Sequence, residues 1–253
     1  MRSSSTFKLQ LAAMFAAGLS LHVNPADAVN KTWIAGDGSW NVAANWNPSG
    51  APADGDAVFL TSSDGLSRTV TYNNVAIFAS FPNTVVSASA GGTFIVNQAA
   101  FTHNGANLAL GTTGRGIWNK TGGTLNVTTL NMATAGGSSG TFSHSGGTIN
   151  SSTVNIGQTG NGTFLHSGGT LNVSGTVNVS DNNPGGSGYL ELRDTARLIA
   201  PTITIHNGGT IAFPLDGLSS HLTTGTVILN AGGTWHEVGP VGENNDIDVF
   251  HHN

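Results

Sequence analysis

From Gly116 onward, apolar and polar positions alternate in blocks that repeat. GIWNKTGGTLNVTTLNM begins at Gly116, GTFSHSGGTINSSTVNI at Gly140 and GTFLHSGGTLNVSGTVNV at Gly162. A degenerate copy, GYLELRDTARLIAPTITI, starts at Gly188, and a half-copy, FTHNGANLAL, at Phe101. The four glycine starts lie 24, 22 and 26 residues apart. Within each block Leu125, Ile149 and Leu171 align, as do Leu130, Val154 and Val177, and Met132, Ile156 and Val179. Thr124, Thr148 and Thr170 flank the first column on one side, and Asn126, Asn150 and Asn172 on the other. Period-two alternation sends the two sets to opposite strand faces. A coil of about 22 residues cannot enclose its own apolar face, but coils stacked at the strand-pairing distance of about 4.8 Å can. The pattern therefore predicts an all-β chain: a single-stranded parallel β-helix, or β-solenoid, with its apolar columns inside.

The repeats set the boundaries. Gly-Gly-Thr recurs from Gly91 to Thr234, so residues 91–234 are read as solenoid. Its glycines suit corners where the backbone needs positive φ. Residues 29–90 carry Trp33, Trp40 and Trp46 and lack the coil pattern; they are expected to form first strands and an aromatic cap over one exposed edge. Residues 235–253 are expected to be a tail or a cap at the other end. Ser151 breaks an apolar column and is expected near a corner or bonded to backbone. The cluster DNNPGG at 181–186 is expected to bulge between coils. Residues 1–28 have a cationic start at Arg2 and Lys8, an apolar run from Leu9 to Leu21, and Ala26-Asp27-Ala28. These are the parts of a secretory signal peptide cut after Ala28. The run is shorter than the roughly 20 residues that cross a bilayer, so no membrane span is expected after cleavage.

Composition narrows the function. Charged residues make up 8% of the chain, with 8 Lys+Arg against 13 Asp+Glu and a net charge of -5. So few cations cannot form the basic surface that nucleic acid requires. Cysteine is absent from the sequence, which removes disulfides, thiolate catalysis and Cys-based metal sites. Stability must come from packing and backbone pairing.

Two segments resemble known proteins. GDGSWNVAANWNPSGAPADGDAVFL (36–60) resembles a motif at the start of bacterial extracellular β-solenoids, both autotransporter-like passengers and surface proteins with a PEP-CTERM sorting signal. Trp40, Asn45, Trp46, Gly50, Pro52, Gly55 and Asp56 carry the likeness. HSGGTLNVSGTVNV (166–179) is similar to passenger repeats of the AIDA type. The resemblance implies the architecture and an extracellular setting; it implies no catalytic motif, no catalytic residue and no cofactor. The ending DIDVFHHN has neither a barrel nor an apolar anchor with a basic tail, so release or non-covalent retention is expected.

Four groups are candidates for chemistry. The ladders Thr124–Thr148–Thr170 and Thr129–Thr153–Thr176, with Asn126–Asn150–Asn172, offer a neutral contact surface for polysaccharide or another copy of the chain. A regular threonine array also suits an ice-binding module. His144 and His166 fall in one column, aligned with His103 and Lys120; they read as a metal or proton site, or as partly exposed corner residues stacked on each other. Glu191, Arg193, Asp194 and Arg197 are the dense charge group. A polysaccharide lyase or hydrolase would need such a base and cation together, whereas an outward Glu191–Arg193 pair is an ordinary surface ion pair. The three tryptophans suit sugar stacking or cap packing. The leading expectation is a secreted, non-catalytic structural or adhesive β-solenoid of a cell surface or matrix.

Overall fold

The structure is a computed structural model that describes residues 27–75, 79–181, 185–213, 221–237 and 244–252. The expected signal segment up to residue 26, and residues 182–184 of the DNNPGG cluster, lie outside them. The chain winds as a β-solenoid of about 8 turns. Each repeat supplies a short strand, such as Ser139–His144, and a long one, such as Thr148–Ile156. Short strands pair in parallel with short strands of the next coil, and long with long.

The register aligns the apolar columns as the repeats predict. Leu125 pairs with Ile149, Ile149 with Leu171, and Leu171 with Leu198. Trp118, Phe142 and Phe164 stack in the short strands and are fully buried. A one-residue slip would turn every one of these side chains to water, so burial pins the register. Inward positions in Thr124–Met132 are Leu125, Val127, Leu130 and Met132, and the register with the next coil passes from Val127 to Thr129 and skips Thr128. The change of parity bends the long strand at Thr128. Ser151 sits at the same bend one coil on, 6% exposed, with its hydroxyl donating to the carbonyls of Thr128 and Thr153.

Parallel pairing begins well before the recognisable repeats. Ala57–Ser62, Ser80–Ala88 and Thr102–Leu110 stack in order, as do Arg68–Thr71, Phe94–Gln98 and Arg115–Lys120. At the far end Asn244–His252 adds a further strand beside His221–Leu229. Glycine is demanded at the corners: Gly147 has φ of 78°, and a Cβ there would lie 2.2 Å from the Gly123 carbonyl oxygen.

The amino-terminal edge is covered. Asn30–Trp33 pairs in parallel with Ala57–Ser62 and antiparallel with Trp46–Asn47. Trp33, Trp40 and Trp46 are all buried, with Trp46 edge-on to both others at centroid distances of 5.0 Å. They plug the first coil, so cap packing is the role the structure gives them. The acidic end of the motif is structural too: Asp56 is 4% exposed and accepts from the backbone N–H of Val29 and of Ala53. Asn45 donates to the Ser39 carbonyl.

Candidate functional site

The bend in the long strands makes an open groove of about 530 Å³ along the stack. One wall is the asparagine column, Asn104, Asn126, Asn150 and Asn172; Thr128, Ser152 and Ser174 form the other. Gly105, Val127, Ser151 and Val173 line the floor, and Ser80 and Ile199 lie at its two ends. Every one of these residues is uncharged. The six rows from Ser80 to Ile199 span roughly 24 Å at the parallel-strand spacing.

The wall is hydrogen-bonded along its length. The Asn126 amide donates to the Asn104 Oδ1 at 2.8 Å, Asn150 to Asn126 at 2.8 Å and Asn172 to Asn150 at 3.0 Å. Past the bend runs a second ladder that the sequence reading missed. Asn178 donates to Asn155, Asn155 to Asn131, Asn131 to Asn107 and Asn107 to Asn83. Its signal was present in the shared triplets LNM, VNI and VNV, where only the apolar flanks were used. Replacing Asn155 by Ala removes two ladder bonds and is expected to cost about 1–2 kcal/mol. The check is a lower urea midpoint at unchanged m-value.

The threonine columns face outward as expected. Thr124, Thr148 and Thr170 are half-buried and in register beside the groove's asparagines. Thr129, Thr153, Thr176, Thr202 and Thr226 form a column over five coils on the face beyond the bend. The two sets therefore lie on different faces of the solenoid.

The histidine column differs from the sequence reading in two ways. His103 pairs with Leu125, not with Lys120; Gln98 takes the place it was given, so the column runs Gln98, Lys120, His144, His166, Leu192. The column also lies inside the coil, where His144 and His166 are 0% exposed rather than partly exposed. Their rings do stack, 4.6 Å apart and 6° from parallel. Lys120 is equally buried and donates to the carbonyls of Gly122, Gly123 and Gly146. Burial pushes its ammonium down to about 8, so it is still charged at neutral pH. The His166 Nε2 bonds the Arg197 carbonyl at 3.1 Å, which makes that nitrogen the donor. Among the described residues neither ring nitrogen of His144 has a hydrogen-bond partner. Burial first, then His166 and Lys120, push its pKa down to about 3, partly offset by the Gly146 and Gly147 backbone. Among the described residues no group of three metal-ligating side chains occurs. These side chains fill the corner, with Lys120 and His166 tying down its carbonyls.

His103 belongs to the cap instead. Its ring meets Trp40, Tyr72, Phe81 and Trp118, and its nitrogens contact the Thr84 and Tyr72 hydroxyls.

The charge group is spread over a strand end, a turn and the start of the next strand. Glu191 is held by Arg193 at 3.2 Å and by the Tyr189 hydroxyl at 2.7 Å. Its register neighbours are Leu165 and Ala212. Asp194 sits in a left-handed turn with φ of 56°, and Arg197 starts the next long strand, exposed. No helix among the described residues is long and apolar enough to cross a membrane.

The fold and groove define a β-solenoid displaying neutral amide and hydroxyl ladders. Comparison with known proteins returns no matching family, no matching curated protein and no matching solved structure.

Proposed function

We propose that this chain is a secreted, non-catalytic structural or adhesive β-solenoid that makes contacts at a cell surface or in a matrix. The observation that carries this reading is the repeated neutral display: five stacked threonines on one face and a bonded asparagine row on the next. Such rows present the same groups at each coil, which suits a long or repeating partner better than a single small molecule. The likeness of residues 36–60 and 166–179 to extracellular repeat proteins, and the signal-like start of the chain, support the setting. Low charge supports contact with polysaccharide or with another copy of the chain over contact with polyelectrolytes.

Purified protein is expected to release no unsaturated or reducing sugars from acidic or neutral polysaccharides, and to remain with the cell surface or matrix through salt washes. Sugar release that disappears in Glu191→Ala would overturn the reading in favour of a lyase or hydrolase.

A further inference from the structure

We infer that the asparagine-walled groove binds one extended, uncharged polysaccharide chain lying along the solenoid axis. The inference rests on the reading of the chain as a contact protein and names the partner of one of its faces.

Hydrogen-bond capacity is the first argument. A carboxamide has two N–H donors and two carbonyl lone pairs. At Asn126 and Asn150 the ladder uses one of each. Among the described residues nothing else bonds these two amides, so a donor and an acceptor remain at each rung. The opposite wall adds the hydroxyls of Thr128, Ser152 and Ser174, all exposed. Sugar hydroxyls, which both donate and accept, match mixed rows of this kind. The ladder also fixes the amides in place, so a guest orders little protein on arrival.

Shape and charge are the second. The groove is open and its lining recurs from coil to coil, so it accepts a polymer passing along it. Its lining is wholly neutral. A uronic-acid chain would find no cation within it; the Arg197 guanidinium stands two residues from Ile199, beyond the end of the asparagine row. Val127 and Val173, one coil either side of Ser151, give the floor two small apolar spots, 5% and 4% exposed, between its polar walls.

The test is affinity electrophoresis of the purified protein in gels containing hydroxyethylcellulose, galactomannan or pullulan, with alginate as the charged comparator. At least one neutral polymer is expected to retard the wild type, and alginate to do so less. Retardation should change little between low and high salt, because no ion pair is broken. Ser152→Arg puts a bulky side chain in the groove from an exposed position, and is expected to weaken retardation about tenfold, equivalent to ~1.4 kcal/mol. Ser143→Arg, on the short-strand face, should retain wild-type behaviour. Circular dichroism and urea midpoints of both variants separate lost binding from lost folding.

Absence of retardation by every neutral polymer overturns the inference, as does equal loss in both variants or retardation that salt abolishes. A Ser152→Arg protein that keeps its retardation but changes its sedimentation assigns the groove to a second copy of the chain, and also overturns it. None of these outcomes touches the non-catalytic reading, which falls only on sugar release.

Discussion

Lowering the pH from 7 to about 4.5 is expected to cost the fold about 5 kcal/mol. Burial holds His103 and His144 at pKa values of about 3, against 6.5 for the free side chain. Below about pH 6.5 the unfolded chain takes a proton at each site, while the folded chain does not until near pH 3. Stability from these groups is therefore complete above about 6.5 and is lost as the pH falls, by roughly 1.4 kcal/mol per unit for each histidine. Burial lowers His166 in the same direction. Lys120 contributes nothing to this acid slope, because its own change lies between about 8 and 10.5. Urea unfolding at the two pH values measures the loss. His144→Leu is the companion variant. Leu192 already occupies this column further along the stack, and the imidazole it replaces is stacked on His166 with neither ring nitrogen in a well-formed hydrogen bond among the described residues. The variant should be at least as stable as wild type at pH 7, since an unsatisfied buried polar group costs about 1–3 kcal/mol. It should also lose less stability in acid. A flat profile in the wild type, or severe damage from His144→Leu at pH 7, would contradict this account of the corner.

Removing the cap's central ring should be nearly as costly. Trp40 is 0% exposed and touches Trp46, Tyr72, Phe81 and His103 with ring centroids 4.8 to 6.1 Å apart. The Trp46 indole N–H also donates to the Trp40 carbonyl, which a side-chain change leaves in place. Trp40→Ala is expected to cost about 3–5 kcal/mol. The loss falls on an end coil with a neighbour on one side only, so fraying there should precede global unfolding. Hydrogen exchange should show protection falling first in residues 30–62 and last near 140–180. Uniform loss across all coils would mean that the solenoid unfolds as one unit. Exposed strand edges seek partners, so the variant should also aggregate more readily.

The solenoid was legible because its inward columns recur in sequence. Leu125, Ile149 and Leu171 align by eye and align in space. The strands at 57–62 and 80–88 are harder to see because no Gly-Gly-Thr precedes them; their parity is right, but nothing in the letters gives the register. His103 misled for a related reason. Phe101-Thr102-His103 copies Phe142-Ser143-His144 in letters, yet Phe101 is a corner residue with φ of 64° and His103 already belongs to a long strand. A tripeptide likeness gave way to the pairing of whole strands. Three of the groove's four asparagines, Asn126, Asn150 and Asn172, stand out in the sequence, but Asn104 and the groove itself do not. Its cause, the change of inward parity between Val127 and Leu130, is written in the chain. That this turns the outer surface into a channel follows only from the bend in three dimensions.

The asparagine rows have one more property. In both, each amide N–H points back toward the coil before it, from Asn172 to Asn104 and from Asn178 to Asn83. The small dipoles add instead of cancelling, so the rod has a front and a rear that differ electrically. A guest whose own backbone reads differently in its two directions, as a glycan with a reducing terminus does, would meet unlike surroundings when reversed. The fold thus carries a built-in sense of orientation, and filaments threaded along many such rods would all run the same way.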